Sequence, residues 1–475
     1  MSNFSCGISI LAAGMGTRLK LDTPKALAPI LGKKLIDFPL ANSIKFISQF
    51  DESLIGVVTG HRFEEVEGYV TENYCKGQSP SLKLSYARQL KQLGTADALK
   101  IYFDQTKNAN KMAYTVIICA DTPLIRDTDL NKLLKELKDN PKLDGVAATF
   151  IEKNPQGYGR IQRSNSEIGF TIVEEKDANE AQKKITEVNS GLYIFKTDFA
   201  LKHLSNVSNK NKSGEFYLTD LFQNNYMVKA ILFEKPETFI GVNTLKQLEQ
   251  VSALAKEEKL DALRANGVRM LDANSIYIDW DITVGAGTVL YPGIFLKGKS
   301  KVGENSVIEN GSVIKDSVIE NNVTIKAYSY LEETIVHNDC QIGPFARLRP
   351  GTDVGEESKI GNFVETKKAK LDKGVKISHL SYVGDAFIGE ESNIGCGFVT
   401  CNYDGIKKHV TKIGKRTFIG SDCQAVAPVT IGDDCFVAAG STITNSMNDG
   451  DFAIARSRQV TKEGTAKKFL KPSKK

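Results

Sequence analysis

Tryptophan occurs once in this chain, and the remaining aromatic residues are scattered. Nothing in that pattern offers a platform on which single-stranded bases would stack. The formal net charge is only +5, and part of it lies in the closing stretch "KKFLKPSKK", which reads as a solvated tail rather than a nucleic-acid arm. Nucleic acid is therefore set aside as a partner. No hydrophobic run approaches the length that spans a bilayer, and the N-terminus lacks an apolar signal segment. None of the 8 cysteines forms a C-x-x-C pair, so the expectation is free thiols in a reducing cytoplasm.

Two phosphate-binding patterns are also missing. "LAAGMGTRL", Leu11 to Leu19, follows the β-rich run Cys6 to Leu11 and opens like a dinucleotide loop, but Leu19 stands where a third glycine belongs. No G-x-x-x-x-G-K-[ST] run occurs either. What the chain does have is a Gly-rich turn at a strand end followed by Arg18 and, in "TPKAL", Lys25. Unpaired turn amides flanked by two cations suit a triphosphate. A plain βα turn with two solvated cations fits the same residues.

At 475 residues the chain exceeds the size of one hydrophobic core, so at least two domains are expected. To about residue 240, β-rich runs such as "SLIGVVTG" and "YTVIICAD" alternate with helical ones such as "LNKLLKELKDN". That alternation predicts an α/β domain with a Rossmann-like, mostly parallel sheet over 1–242, with ligands beyond the carboxyl ends of its strands. Leu245, Leu248, Val251, Leu254, Leu260 and Leu263 then fall at helical spacing, and Gly267 is a natural stop, which predicts a linker helix within 243–267.

From 268 to 456 the period becomes six. Ile278, Val284, Leu290, Leu296, Val302, Ile308 and Ile314 recur every sixth residue, and after one-residue slips the series resumes at Ile319 and at Val336. Neither a helix nor an ordinary strand has that period; a hexapeptide parallel β-helix does. The hexads lapse from Phe363 to Gly384, a stretch holding Lys367, Lys368, His379 and Tyr382, with Arg349 just ahead. The basic tail is placed at 457–475.

The ordered series "LAAGMGTRL…PKAL", "QLGTADA", "CADTPLI", "GYGRI", "VEEKDA", "VNSGLY", "GEFYLTD" and "GVNTL", followed by hexads carrying "GPFARLRPG", "GNFVETKKAKL", "HLSYVGDA" and "TCNYDG", resembles one family across nearly the whole chain. It is that of the bacterial bifunctional N-acetylglucosamine-1-phosphate uridylyltransferase/glucosamine-1-phosphate acetyltransferase, whose second domain is a left-handed β-helix. The resemblance implies uridylyl transfer from UTP to N-acetylglucosamine-1-phosphate in the first domain. Arg18 and Lys25, with the Leu11, Ala12, Ala13 and Gly14 backbone, would hold the phosphates; Gln89, Gly94 and Thr95 match the uracil segment; Gly159, Glu174 and Asn189 match sugar positions. Asp121 and Asn243 match ligands of Mg²⁺, an ion content with few protein oxygens completed by water and phosphate. By themselves, Asp121 could cap a turn, and Asn243 or Thr244 could cap the long helix.

In the second domain the resemblance implies acetyl transfer from acetyl-CoA to glucosamine-1-phosphate. His379 matches the catalytic base, and histidine suits proton acceptance near neutral pH. Arg349, Lys367, Tyr382 and Asn393 match acceptor positions; Cys396, Asn402, Tyr403, Ser421, Ala439 and Arg456 match acetyl-CoA positions. A homotrimer with acetyl sites between chains is also implied. Three departures stand out: Asp97 where the family commonly has His, Met15 for an often charged residue, and Cys396 and Phe398 in "GCGF", expected to add bulk near the thioester. Direct transfer to the amine is favoured over a Cys396 nucleophile, which has no visible base. A single-activity sugar-nucleotide pyrophosphorylase on a structural or regulatory β-helix is the competing reading.

Overall fold

Apolar, β-branched runs become buried strands, and the first half of the chain lays them into one sheet. The computed structural model describes residues 4–75, 83–164 and 167–470. Its strands order as Val228–Phe233, Gly145–Ile151, Glu187–Lys196, Tyr114–Cys119, Ser5–Leu11, Glu52–Thr59 and Leu84–Arg88. Glu187–Lys196 runs antiparallel to both neighbours, while the other pairs are parallel. A hairpin of Arg160–Arg163 and Phe170–Val173 attaches to its edge.

The chain leaves Ser5–Leu11 for Glu52–Thr59 on one side and later returns to Tyr114–Cys119 on the other. Strand order reverses there, and the two carboxyl ends splay to open a crevice. "LAAGMGTRL" and Asp121 both follow those two strands. The helices that cover the sheet bury one stripe each; Asp127–Asp139 turns in Leu130, Leu133, Leu134 and Leu137.

The chain divides into two units, Met1–Glu257 and Glu258–Lys475. A helix runs over Leu245–Ala265. Its cap is Thr244: Gln247 N–H donates to Thr244 Oγ1 at 3.2 Å, and Gln247 Oε1 accepts from Asn243 N–H at 2.9 Å.

The second unit is a three-sided solenoid of short parallel strands, the left-handed β-helix architecture. Eighteen residues separate Val289 from its partner Val307, and seventeen separate Val307 from Thr324, so the slips in the hexad series are coils one residue shorter. Inward residues such as Ile278, Leu290, Ile308 and Ile342 are fully buried, each contributing about 1.5–3 kcal/mol.

The apparent lapse over Phe363 to Gly384 is not a break. Glu365–Leu371 pairs in parallel with Tyr382–Ile388, and Lys376–His379 with Lys359–Asn362. Thr366, buried and sharing a hydrogen bond with Thr352, takes an inward position that an apolar pattern overlooks. The real interruption comes later: Ala386 pairs with Thr411, so one coil grows to 25 residues and extrudes a loop through Tyr403 and Lys408.

Candidate active sites

The crevice at the sheet reversal is a cavity of about 310 Å³. Leu11, Ala12, Ala13, Gly14, Lys25, Gln89, Gly94, Thr95 and Asp121 all line it. The Gly-rich turn closes tightly over Lys25. Gly16 has φ 64°, and a Cβ there would lie 2.6 Å from Lys25 Cβ. Ala12 spends its N–H on the Val58 carbonyl, whereas the amides of Ala13, Gly14 and Met15 meet no described acceptor. Those three are left for an anion. The Met15 side chain is exposed and does not line the cavity.

Lys25 joins the site's two oxygen donors. Its Nζ pairs with the Asp121 carboxylate and donates to Asn243 Oδ1 at 2.8 Å. Arg18 donates to the same Oδ1 at 3.1 Å. Thr244 takes the capping role, so the Asn243 side chain is free to turn toward these cations. The tie between the Val242 N–H and the Asp121 carbonyl, 2.9 Å, brings the two segments together. Two hard oxygens that share one ammonium can share one divalent ion, so this donor set fits Mg²⁺. Among the described residues no group of three or more His, Cys, Asp and Glu side chains is placed to hold a metal.

Gly159, Glu174 and Asn189 form a neighbouring group outside the cavity lining. A Cβ on Gly159 would lie 3.5 Å from both Asn189 Cβ and Glu174 Oε1. Thr219 Oγ1 donates to that Oε1 at 3.0 Å, yet burial still holds the carboxyl above its ordinary range. Cys119, in the cavity wall, faces the Gly191 bulge of the Asn189 strand; burial pushes its thiol up to about 12.

Sequence reasoning missed Gln92, whose Nε2 ties its segment to the Ala13 carbonyl at 3.2 Å. It missed Cys119 and Glu215 in the lining as well. All three lie in the stretches "QLGTADA", "CADTPLI" and "GEFYLTD", but a stretch does not say which of its side chains reaches the crevice; the fold decides that.

In the solenoid, His379 ends its strand and is exposed. Its Nδ1 lies 2.8 Å from Asn362 Oδ1, its register partner one coil below. An oxygen there accepts, so Nδ1 is the donor and Nε2 is the ring nitrogen left without that partner. Asn362 too was missed, because a 17-residue offset becomes a neighbour only in the coil.

Four cations gather nearby. Lys408, on the extruded loop, pushes Lys367 below the ordinary lysine range, with Arg349 and Lys368 adding to it. Arg349 donates to Glu365 at 2.8 Å, in register with Tyr382. Glu365 offsets only Arg349 in this group, and the like charge left on the lysines is what a phosphate would neutralise. Asn393 stands in register beside Lys376, off this cluster.

The predicted coenzyme positions form a column. Gly397 N–H bonds the Leu380 carbonyl, Asp422 N–H the Cys396 carbonyl, Gly440 N–H the Ser421 carbonyl, and Arg456 donates to the Ala439 carbonyl at 2.8 Å. Cys396, Ser421, Ala439 and Arg456 thus occupy successive coils above His379. Asn402 lies beside Tyr382, since a Cβ on Gly384 would meet both, and Tyr403 follows on the loop. Phe398 corrects one expectation. It is 1% exposed in the solenoid core and adds no bulk to this face, because its place in the coil turns inward.

Family models match this chain as a nucleotidyl transferase over residues 8–236, a GMPPB C-terminal domain over 273–356 and a bacterial transferase hexapeptide over 411–445. The bifunctional protein GlmU of Geotalea uraniireducens is 40% identical over 460 residues, covering 96% of this chain and 97% of that protein. The GlmU proteins of Staphylococcus haemolyticus and Fervidobacterium nodosum are 39% and 41% identical, each over 97% of this chain and over 99% and 97% of their own lengths. The chain belongs to the bifunctional GlmU family. GlmU proteins are UDP-N-acetylglucosamine-forming enzymes, and the two halves of this chain match uridylyl and acetyl transfer. No helix among the described residues of this GlmU-family chain is long and apolar enough to cross a membrane.

Proposed function

We propose that this GlmU-family enzyme acetylates glucosamine-1-phosphate at the His379 face and then transfers uridylyl from UTP at the Lys25–Asp121–Asn243 crevice. The observation that carries the second half is a cation and a carboxylate lining a cavity of about 310 Å³ beside free turn amides, with the Asn243 amide oxygen bonded to the same cation.

In this reading Gln89, Gly94 and Thr95 hold the uracil, and the Ala13–Met15 amides, Arg18 and Lys25 hold the phosphates. Gly159, Glu174 and Asn189 hold the sugar. Asp121 and Asn243 would hold Mg²⁺, which neutralises phosphate charge when bound. The sugar phosphate oxygen forms a bond to the α-phosphorus as the α–β bridging bond breaks, and pyrophosphate leaves. The protein positions the two partners in line and offsets their charge rather than entering a covalent bond.

At the other site Arg349 and Lys367 hold the acceptor phosphate, with Tyr382 and Asn393 beside the sugar. The coenzyme lies along Cys396, Asn402, Tyr403, Ser421, Ala439 and Arg456. The acceptor amine attacks the thioester carbonyl, His379 Nε2 takes the amine proton, and coenzyme A departs as thiolate. The working form in this proposal is a cytoplasmic homotrimer.

A paired assay on purified protein tests both halves: thiol release from acetyl-CoA with glucosamine-1-phosphate, and pyrophosphate release from UTP, Mg²⁺ and N-acetylglucosamine-1-phosphate. Pyrophosphate without thiol would leave a one-site enzyme on a structural solenoid.

A further inference from the structure

The Gln89 side chain can sit only one way. Its Nε2 donates to the Gly94 carbonyl at 3.0 Å and to Asp97 Oδ2 at 2.8 Å. Both partners are acceptors, so turning the amide over would set its oxygen against two others. Gln89 is 3% exposed, and no water can easily relieve that clash. The amide oxygen meets no donor among the described residues, and Gln89 lines the cavity.

Both anchors are themselves held. Gly94 adopts φ 123°, and a Cβ there would come within 2.3 Å of the Phe216 carbonyl oxygen, so the turn is fixed against that segment. Asp97 stands in the first turn of the helix Thr95–Gln105. A carboxylate there gains from the helix dipole whichever way it points. Its bond to Gln89 is not needed for that gain.

We propose that Asp97 is a positioning residue for nucleobase selection: by holding Gln89 Nε2 it presents Gln89 Oε1 to the cavity as a fixed acceptor, which matches the N3–H of uracil and opposes the N3 lone pair of cytosine. The inference rests on the reading of this cavity as a uridine nucleotide site. The Gly94 carbonyl alone opposes the flipped amide with one neutral acceptor; Asp97 adds a second, charged one and makes the preference steep. A pocket that fixes a lone acceptor rejects a base lacking the matching donor, because two lone pairs are then buried face to face.

The test compares the full-length wild type with Asp97→Leu and Asp97→Asn, measuring pyrophosphate release with N-acetylglucosamine-1-phosphate and either UTP or CTP. For Asp97→Leu the UTP:CTP ratio of kcat/KM is expected to fall about 10-fold or more, mainly through KM for UTP. Asp97→Asn can still accept from Nε2 and is expected to keep the ratio within about 3-fold of wild type. An unchanged ratio in Asp97→Leu, or an equal loss in both variants, overturns the proposal. A measurement on the wild type alone stands if Asp97→Leu does not fold: N3-methyl-UTP, lacking the N3–H, is expected to react at least about 10-fold less efficiently than UTP. Equal use of it also overturns the proposal. Failure of the wild type to use UTP at all would instead sink the uridine reading beneath it.

Discussion

Lys25 and Asp121, 96 residues apart in sequence, form an ion pair at the mouth of the sheet reversal, and Asn243 shares the same ammonium. The proposed cation ligand and the proposed phosphate ligand are thus held together before any substrate arrives. Asp121→Ala is expected to lower pyrophosphate release by about 100-fold or more and to leave acetyl transfer unchanged, as a side-by-side assay of the two products would record. Chelation of divalent ions should reproduce that split, and added Mg²⁺ should reverse it.

His379 is held by Asn362 through Nδ1. His379→Ala, which removes the proposed base, is expected to cost acetyl transfer about 10²–10⁴-fold with uridylyl transfer intact. Asn362→Ala keeps the imidazole but frees its ring. It should lower kcat by a smaller factor with little change in KM, measured by thiol release.

Glu174, one of the proposed sugar residues, stands where burial penalises its charge. Burial raises its pKa in the folded protein, so ionising it opposes folding, and this loss grows as pH rises above the ordinary carboxylate value of about 4.5. Glu174→Gln retains an oxygen for Thr219 and has no charge to bury. It is expected to melt above wild type at pH 7, with the gap closing as pH falls below about 4.5, while its KM for the sugar phosphate rises. A melting series across pH, with wild type melting equal to or above the variant at pH 7, would refute this.

The thiols divide by environment. Burial pushes Cys119 and Cys340 up to about 12, whereas Cys75 and Cys396 are exposed. Iodoacetamide near pH 7.5 is expected to label Cys75 and Cys396 in the native protein, and Cys119 and Cys340 only after unfolding. Coenzyme A should slow labelling of Cys396 about 5-fold or more at saturation and leave Cys75 unaffected, read by peptide mass spectrometry.

Much of the architecture was written in periods. The six-residue series placed the solenoid because every inward position must be small enough and apolar enough for one narrow axis. Its failure at Thr366 came from treating polarity as exposure: the hydroxyl is satisfied by Thr352 inside the coil. The Gly-rich turn was equally legible, since Gly16 stands at a positive φ against Lys25.

What the sequence by itself determined is the repeat, the α/β alternation, and the residue types that carry charge and phosphate chemistry. Each follows from local spacing or from side-chain chemistry. Only tertiary structure decided which side chains meet: Lys25 with Asp121 and Asn243, Gln89 with Asp97 and Gly94, His379 with Asn362, Lys367 with Lys408. Strand order and coil register bring those atoms within hydrogen-bonding or Coulombic reach, and neither quantity is carried by any short stretch of the chain. The same reason explains why Phe398 read as part of a surface site and lies in the core, where a single coil position decides between the axis and the face.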